Sequence, residues 1–166
     1  MTPEEAYSRA TGRCARAECC RHDLLQKFLR GGLTTQEAEK VLERLEAEHY
    51  VDNHRYARAY AHDKLHYDAW GKQKIRQGLL TKRIPEPVIR EAIDQIDEQT
   101  YHAILEQAIR KKWASTTAES DCKRRQKVIR HALSRGYEPS VVCTILRKLT
   151  QATCEEECDE YTFSPC

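Results

Sequence analysis

The stretch YVDNHRYARAY (residues 50–60), continued by WGKQKIRQGLLTKRI (residues 70–84) and by Val88, Ile89, Ile93 and Ile96, decides the fold. Apolar residues recur in it at helical spacing. Gly71, Pro85 and Pro87 punctuate it. It reads as a unit of three helices with a basic middle helix, and the segments on both sides are variants of it.

Laying the second and third helices of each unit over one another exposes the repeat. Leu24, Phe28, Leu29, Leu33, Leu42 and Leu45 are matched 51 residues later by Ile75, Leu79, Leu80, Ile84, Ile93 and Ile96. They are matched again, 53 residues further on, by Val128, Ala132, Leu133, Tyr137, Leu146 and Leu149. Such self-similarity is the signature of a repeat array. Strand signals are nearly absent. The expected fold is therefore all-α, with three tandem three-helix units of helix-turn-helix outline over residues 4–48, 50–97 and 98–149. Apolar residues make up only 40% of the chain, which suits thin cores shared between neighbouring units in an elongated molecule.

Gly32 and Gly136 fall at equivalent positions, each before an apolar residue, as a helix C′ glycine does. The second unit has Arg83 there. If its helix ends in the same way, Arg83 bears about 1–2 kcal/mol of left-handed strain. Thr34 and Glu37 form a capping-box pattern, and Pro139 suits a first helical turn. Thr116 and Glu119 form a second box, expected to open a helix of about 28 Å ending near Arg135.

Net charge is +2, but its distribution is uneven. Residues 151–166 hold Glu155, Glu156, Glu157, Asp159 and Glu160 and no base, which leaves +7 on residues 1–150. A basic body with an acidic, apolar-poor tail, expected to be disordered, points to a polyanionic partner such as nucleic acid or an acidic protein face. No apolar run approaches the roughly 18 residues that span a bilayer. The acidic start lacks a signal-peptide core. A cytoplasmic location with eight reduced cysteines is expected.

The binding candidates are two basic rows: Lys72, Lys74, Arg76, Lys82 and Arg83 in the middle unit, and Lys123, Arg124, Lys127 and Arg130 in the last, with Arg110, Lys111 and Lys112 just upstream. Long cationic side chains reach phosphates or carboxylates without fine geometry. Charged faces are also the default on exposed helices; two rows at equivalent places in a repeat favour a binding surface. Tyr56, Tyr60 and Tyr67 read as a core stripe rather than a stacking platform. Trp70 and Trp113 suit either interface anchors or helix-end packing. His62 and His66 have zinc-protease spacing, with Asp63 where the glutamate would stand and no third ligand. Cys154, Cys158 and Cys166, or Cys14, Cys19 and Cys20 with His22, could hold a soft metal but lack paired C-x2-C spacing. Cys122 and Cys143 read as small buried residues. No phosphate-binding loop, nucleophile elbow or paired acidic motif is present, so neither catalysis nor a cofactor or metal is expected.

Tyr50-Val-Asp52, Arg55-Tyr56-Ala57 with Tyr60, Trp70-Gly71-Lys72, Lys74-Ile75-Arg76, Leu80 and Ile84 resemble the RecX family. Ala15 to Glu18 and Arg21 to Leu24 are similar to that family's first repeat, with Cys20 where a capping serine is more usual. The likeness covers about residues 4–149, and the tail lies outside it. It implies a curved array of three-helix repeats in a non-enzymatic protein; the chain itself is expected to be a monomer. Its implied partner is the RecA filament on single-stranded DNA, whose ATPase, strand exchange and co-protease activity it restrains. It carries over no catalytic residue. The alternative function is a nucleic-acid-binding module acting without RecA.

Overall fold

The computed structural model describes residues 1–150; the acidic segment 151–166, with Cys154, Cys158 and Cys166, lies outside the described residues. Among the described residues there are nine helices and no strand: α1 (Pro3–Cys14), α2 (Arg21–Arg30), α3 (Thr35–Ala47), α4 (Asn53–His66), α5 (Lys72–Thr81), α6 (Glu86–Asp94), α7 (Glu98–Ser115), α8 (Asp121–Ser134) and α9 (Pro139–Leu149). They pack as α1–α3, α4–α6 and α7–α9, with α4 also against α7. Core sharing is unequal. Leu65, Ile75, Leu79, Ile89, Tyr101, Leu105, Val128 and Leu146 belong to one core running through α4–α9. Leu24, Phe28, Leu42 and Leu45 form a separate core in α1–α3.

One turn recurs after every second helix. The amides of Leu33, Ile84 and Tyr137 donate to the carbonyls of Phe28, Leu79 and Ala132 at 3.2, 3.2 and 3.1 Å. The preceding residue is left-handed each time: Gly32 at φ 90°, Arg83 at 59° and Gly136 at 83°. This is the Schellman end, with its apolar residue folded back onto the helix. Leu33, Ile84 and Tyr137 are accordingly buried. Arg83 thus does carry the strain that a glycine would avoid.

Burial refines the sequence repeat. Ala38, Ile89 and Val142 share a register, as do Val41, Ala92 and Ile145, and all six are buried. The matched leucines Leu29, Leu80 and Leu133 are not core: Leu80 and Leu133 are each 41% exposed. They sit one residue past the buried Phe28, Leu79 and Ala132, about 100° round the helix.

Three expectations are corrected. The helix expected from Thr116 begins instead at Asp121, where the Ser120 hydroxyl accepts the Lys123 amide. Thr116 is buried, and its hydroxyl donates to the Lys112 carbonyl at 2.6 Å, closing α7. Tyr67 is 79% exposed rather than in the core stripe, because Ala57, Ala61 and Leu65 form the inward row and Tyr67 caps the helix beyond it. Cys122 and Cys143 are exposed: Cys122 shares its face with Gln126, and Cys143 shares its own with Arg147.

Successive units are joined in one way. The carbonyl just before each left-handed residue accepts a bond from upstream. Gly31 accepts from the Met1 amine at 3.1 Å, Lys82 from the Cys20 thiol at 3.3 Å, and Arg135 from the Gly71 amide at 2.7 Å. Cys20 and Gly71 are the N-caps of α2 and α5. The turn of each later unit therefore docks on the N-cap of the preceding unit's second helix. At the second seam the Gln73 amide also donates to the Gly136 carbonyl at 3.2 Å, and the Tyr137 hydroxyl to the Ala69 carbonyl at 2.7 Å. A Cβ on Gly71 would collide with the Gly136 carbonyl. Gly71→Ala should therefore lower stability by about 1–3 kcal/mol through overpacking. Arg83→Gly should raise it by about 0.5–1 kcal/mol, the relieved strain exceeding the added unfolded-state freedom. Thermal denaturation followed by circular dichroism reads both.

Candidate functional site

The two basic rows separate into cations that hold the fold together and cations with no carboxylate partner among the described residues. Lys72 is only 19% exposed; it pairs with Glu98 and lies 4.7 Å from the Tyr101 ring. The Tyr101 hydroxyl accepts the Lys72 amide at 3.1 Å and donates to Glu138 at 2.7 Å. Arg76 pairs with Glu86 at 2.8 Å, and Lys82 with Asp23 at 2.7 Å across the first seam. Lys123 pairs with Glu119, just ahead of the N-cap of its helix. Arg124 donates twice to the Trp113 carbonyl, at 2.6 and 3.1 Å, and stacks 4.2 Å from that indole. It ties α8 to the end of α7.

The remaining candidates have no carboxylate partner among the described residues. Arg83 is exposed on its strained turn. Lys74 lies 4.4 Å from the Trp70 ring. Lys127 donates to the Thr117 carbonyl at 3.1 Å. Lys127 and Arg130 line a cleft of about 410 Å³ between α7 and α8, with Lys112, Thr116, His131 and Ser134. No carboxylate lines it. Burial holds the His131 imidazole below its usual range, and the positive charges of Lys112, Arg135 and Lys74 push it the same way. Sequence reasoning placed Lys127 and Arg130 on this surface, with Lys112 just upstream, but missed His131 and Arg135. Their convergence depends on how α7, α8 and the second seam pack, which no spacing within one helix reveals.

The other candidates are structural. Tyr56 and Tyr60 are half-buried, 6.0 Å apart, and burial raises both phenols. Trp70 and Trp113 pack at helix ends under cations. His62 and His66 stack at 4.1 Å, and the His66 Nδ1 contacts the His62 carbonyl at 2.8 Å. Among the described residues no group of three His, Cys, Asp or Glu could hold a metal ion. Burial, with the Cys19 thiol beside it, pushes Cys14 up to about 12, which leaves it a poor nucleophile. Among the described residues no helix is long and apolar enough to cross a membrane.

Comparison with known proteins matches two family models, the second three-helix domain of RecX over residues 52–93 and the third over 99–146. The chain is 28% identical to the regulatory protein RecX of Prosthecochloris aestuarii over 147 residues, 87% of this chain and 93% of that one. It is 28% identical to that of Ralstonia pickettii over 145 residues, 87% of each. Its fold resembles a crystal structure of regulatory protein RecX with a TM-score of 0.78, at 24% identity, covering 87% of this chain and 71% of that one. It resembles RecX from Lactobacillus salivarius with a TM-score of 0.76, at 15% identity, covering 89% and 96%.

The division between structural and available cations can be measured. Arg124→Gln should cost about 1–2 kcal/mol, because two charge-assisted bonds to a carbonyl are lost. Lys123→Gln, on an exposed pair, should leave Tm unchanged. Thermal melts of the two variants side by side decide this.

Proposed function

This chain belongs to the RecX family of regulatory proteins, and on that footing we propose that it is a non-enzymatic, cytoplasmic, monomeric regulator that binds RecA filaments on single-stranded DNA. Binding restrains RecA's ATPase, strand exchange and co-protease activity, and so damps recombination and the SOS response. No cofactor takes part. The observation that carries this reading is the repeated joint. Three-helix units, assigned to residues 4–48, 50–97 and 98–149, meet through the same turn-to-N-cap contact, Cys20 with Lys82 and Gly71 with Arg135. Units joined in series by one operation suit a partner that is itself a polymer. Weak contacts made by successive units then add as avidity.

The mechanism follows from that geometry. Units bound to neighbouring filament subunits hold them in one relative arrangement. ATP turnover requires the arrangement to change, so it slows. The cations without a carboxylate partner among the described residues favour a second reading, a nucleic-acid-binding module that acts without RecA. Stoichiometric addition of the purified protein should slow RecA's DNA-dependent ATPase, and the protein should be retained on RecA filaments more strongly than on bare single-stranded DNA. An unchanged ATPase rate would sink the regulatory reading; equal retention on both would favour the second.

A further inference from the structure

The two seams share a joint but differ in charge. At the first, Lys82 of the second unit's turn pairs with Asp23 at the start of α2, 2.7 Å away. One repeat further on, the matching residues are Arg135 and Lys74. Two cations therefore stand where the first seam has an ion pair. Arg135 donates to the Asp68 carbonyl at 2.7 Å, and Lys74 rests on Trp70. The Asp68 carboxyl is drawn below its usual range first by its own bond to Lys64, at 2.7 Å, and then by Arg135 and Lys74. The α7–α8 cleft, free of carboxylates in its lining, adds Lys112, Lys127 and Arg130 around His131.

Gathering like charge across a packed seam opposes folding. A ligand that brought negative charge would offset that opposition. Cations converge here from α5, α7 and α8, and Lys127, Arg130 and His131 follow one helix face at i, i+3 and i+4. No Phe, Tyr or Trp lines the cleft to stack a base, and the His131 imidazole is the one ring in its lining. The Ser134 and Thr116 hydroxyls donate to the His131 and Lys112 carbonyls, which leaves the cations as the groups that meet a ligand.

We propose that the α7–α8 cleft, with Lys74 and Arg135 at the second seam, is a phosphodiester-binding site for single-stranded DNA, reading its backbone and not its bases. It rests on the reading above in that the DNA is the strand inside the filament. Backbone phosphates are preferred to an acidic protein face because they supply closely spaced charge, about one per 3.4 Å along each strand of a duplex. Long basic side chains follow such a row without fixed geometry. His131 faces Lys112 from α7, Lys127, Arg130 and Arg135 from α8 and its end, and Lys74 from α5, with Asp68 beyond, occupied by Lys64. A bound phosphate offsets that field and favours the imidazolium. DNA binding therefore takes up a proton and tightens as pH falls below neutrality.

The test uses the full chain and a fluorescent oligothymidylate, with binding read by anisotropy over a salt series. Neutralising Lys112, Lys127 and Arg130 together to Gln should weaken binding on the order of tenfold. The slope of log K against log salt should fall by about 0.7 for each phosphate that the variant no longer neutralises. Arg76→Gln, on a cation already paired with Glu86, should leave the slope alone. Lys74→Asp, which recreates the first seam's ion pair at the second, should raise Tm while weakening binding, a combination that a merely structural role would not produce. The His131 ring signals, followed by NMR, should titrate at higher pH with the oligothymidylate present. The proposal is overturned by no affinity of the wild-type chain for the naked oligothymidylate, by unchanged affinity of the triple variant, or by a His131 titration that the DNA does not move. If the triple variant loses the RecA filament but keeps naked DNA, the cleft serves a protein face and the regulatory reading survives. That reading fails separately, through an unaltered RecA ATPase.

Discussion

The left-handed turn that ends each second helix fixes the rest of the molecule. It drops Leu33, Ile84 or Tyr137 back onto the helix just completed and launches the third helix over the same core. Without it, the third helix of each unit would not bring Ala38, Ile89 and Val142, or Val41, Ala92 and Ile145, into their shared burial. The same turn also points a carbonyl outward, at Lys82 and at Arg135, for the neighbouring unit to bond. One local conformation thus sets both the shape of a unit and its connection to the next. That economy is what a repeat architecture requires, because each unit buries its surface only against its neighbours.

The joint is repeated, but what surrounds it is not. At the second seam Tyr101, Val128 and Tyr137 join the core of α4–α6, and the close approach of Gly71 to Gly136 brings two backbones together. At the first seam the cores are separate. It is held by Lys82 with Asp23, by Arg55 with Glu18 at 2.9 Å, and by the Cys20 thiol. Half-exposed ion pairs contribute little individually and weaken with salt. The first seam is therefore the softer one.

Much of this was legible in the sequence. The periodic apolar residues gave nine helices in three copies, and Gly32 and Gly136 marked where the second helices stop. The errors have physical causes. Leu29, Leu80 and Leu133 are apolar and aligned, yet each follows the inward residue by one step, which puts it on the flank. Thr116 and Ser120 both stand before a plausible helix, and only packing of Thr116 against the end of α7 decides between them. Ala38 and Ala92 were passed over because alanine carries little apolar weight, though burial makes them core. For the cations, sequence located the rows but not their duties. Whether a lysine is spent on a carboxylate, as Lys72 and Lys82 are, depends on residues 26 and 59 positions away.

The difference between the seams also explains where unpaired charge can be tolerated. A seam without a shared core needs its ion pairs, so Lys82 cannot be released from Asp23 without loosening the joint. The second seam has apolar burial and backbone bonds to spare: Gly71 to Arg135, Gln73 to Gly136 and Tyr137 to Ala69. Burial on the order of 1.5–3 kcal/mol for each large side chain outweighs the repulsion of a few half-exposed cations. Tyr101 and Tyr137 alone place two such rings there, both nearly inaccessible to solvent. Charge can therefore accumulate around Lys74, Arg135 and the α7–α8 cleft without parting the units. The seam with a shared core is thus the one that can carry such a cluster of cations.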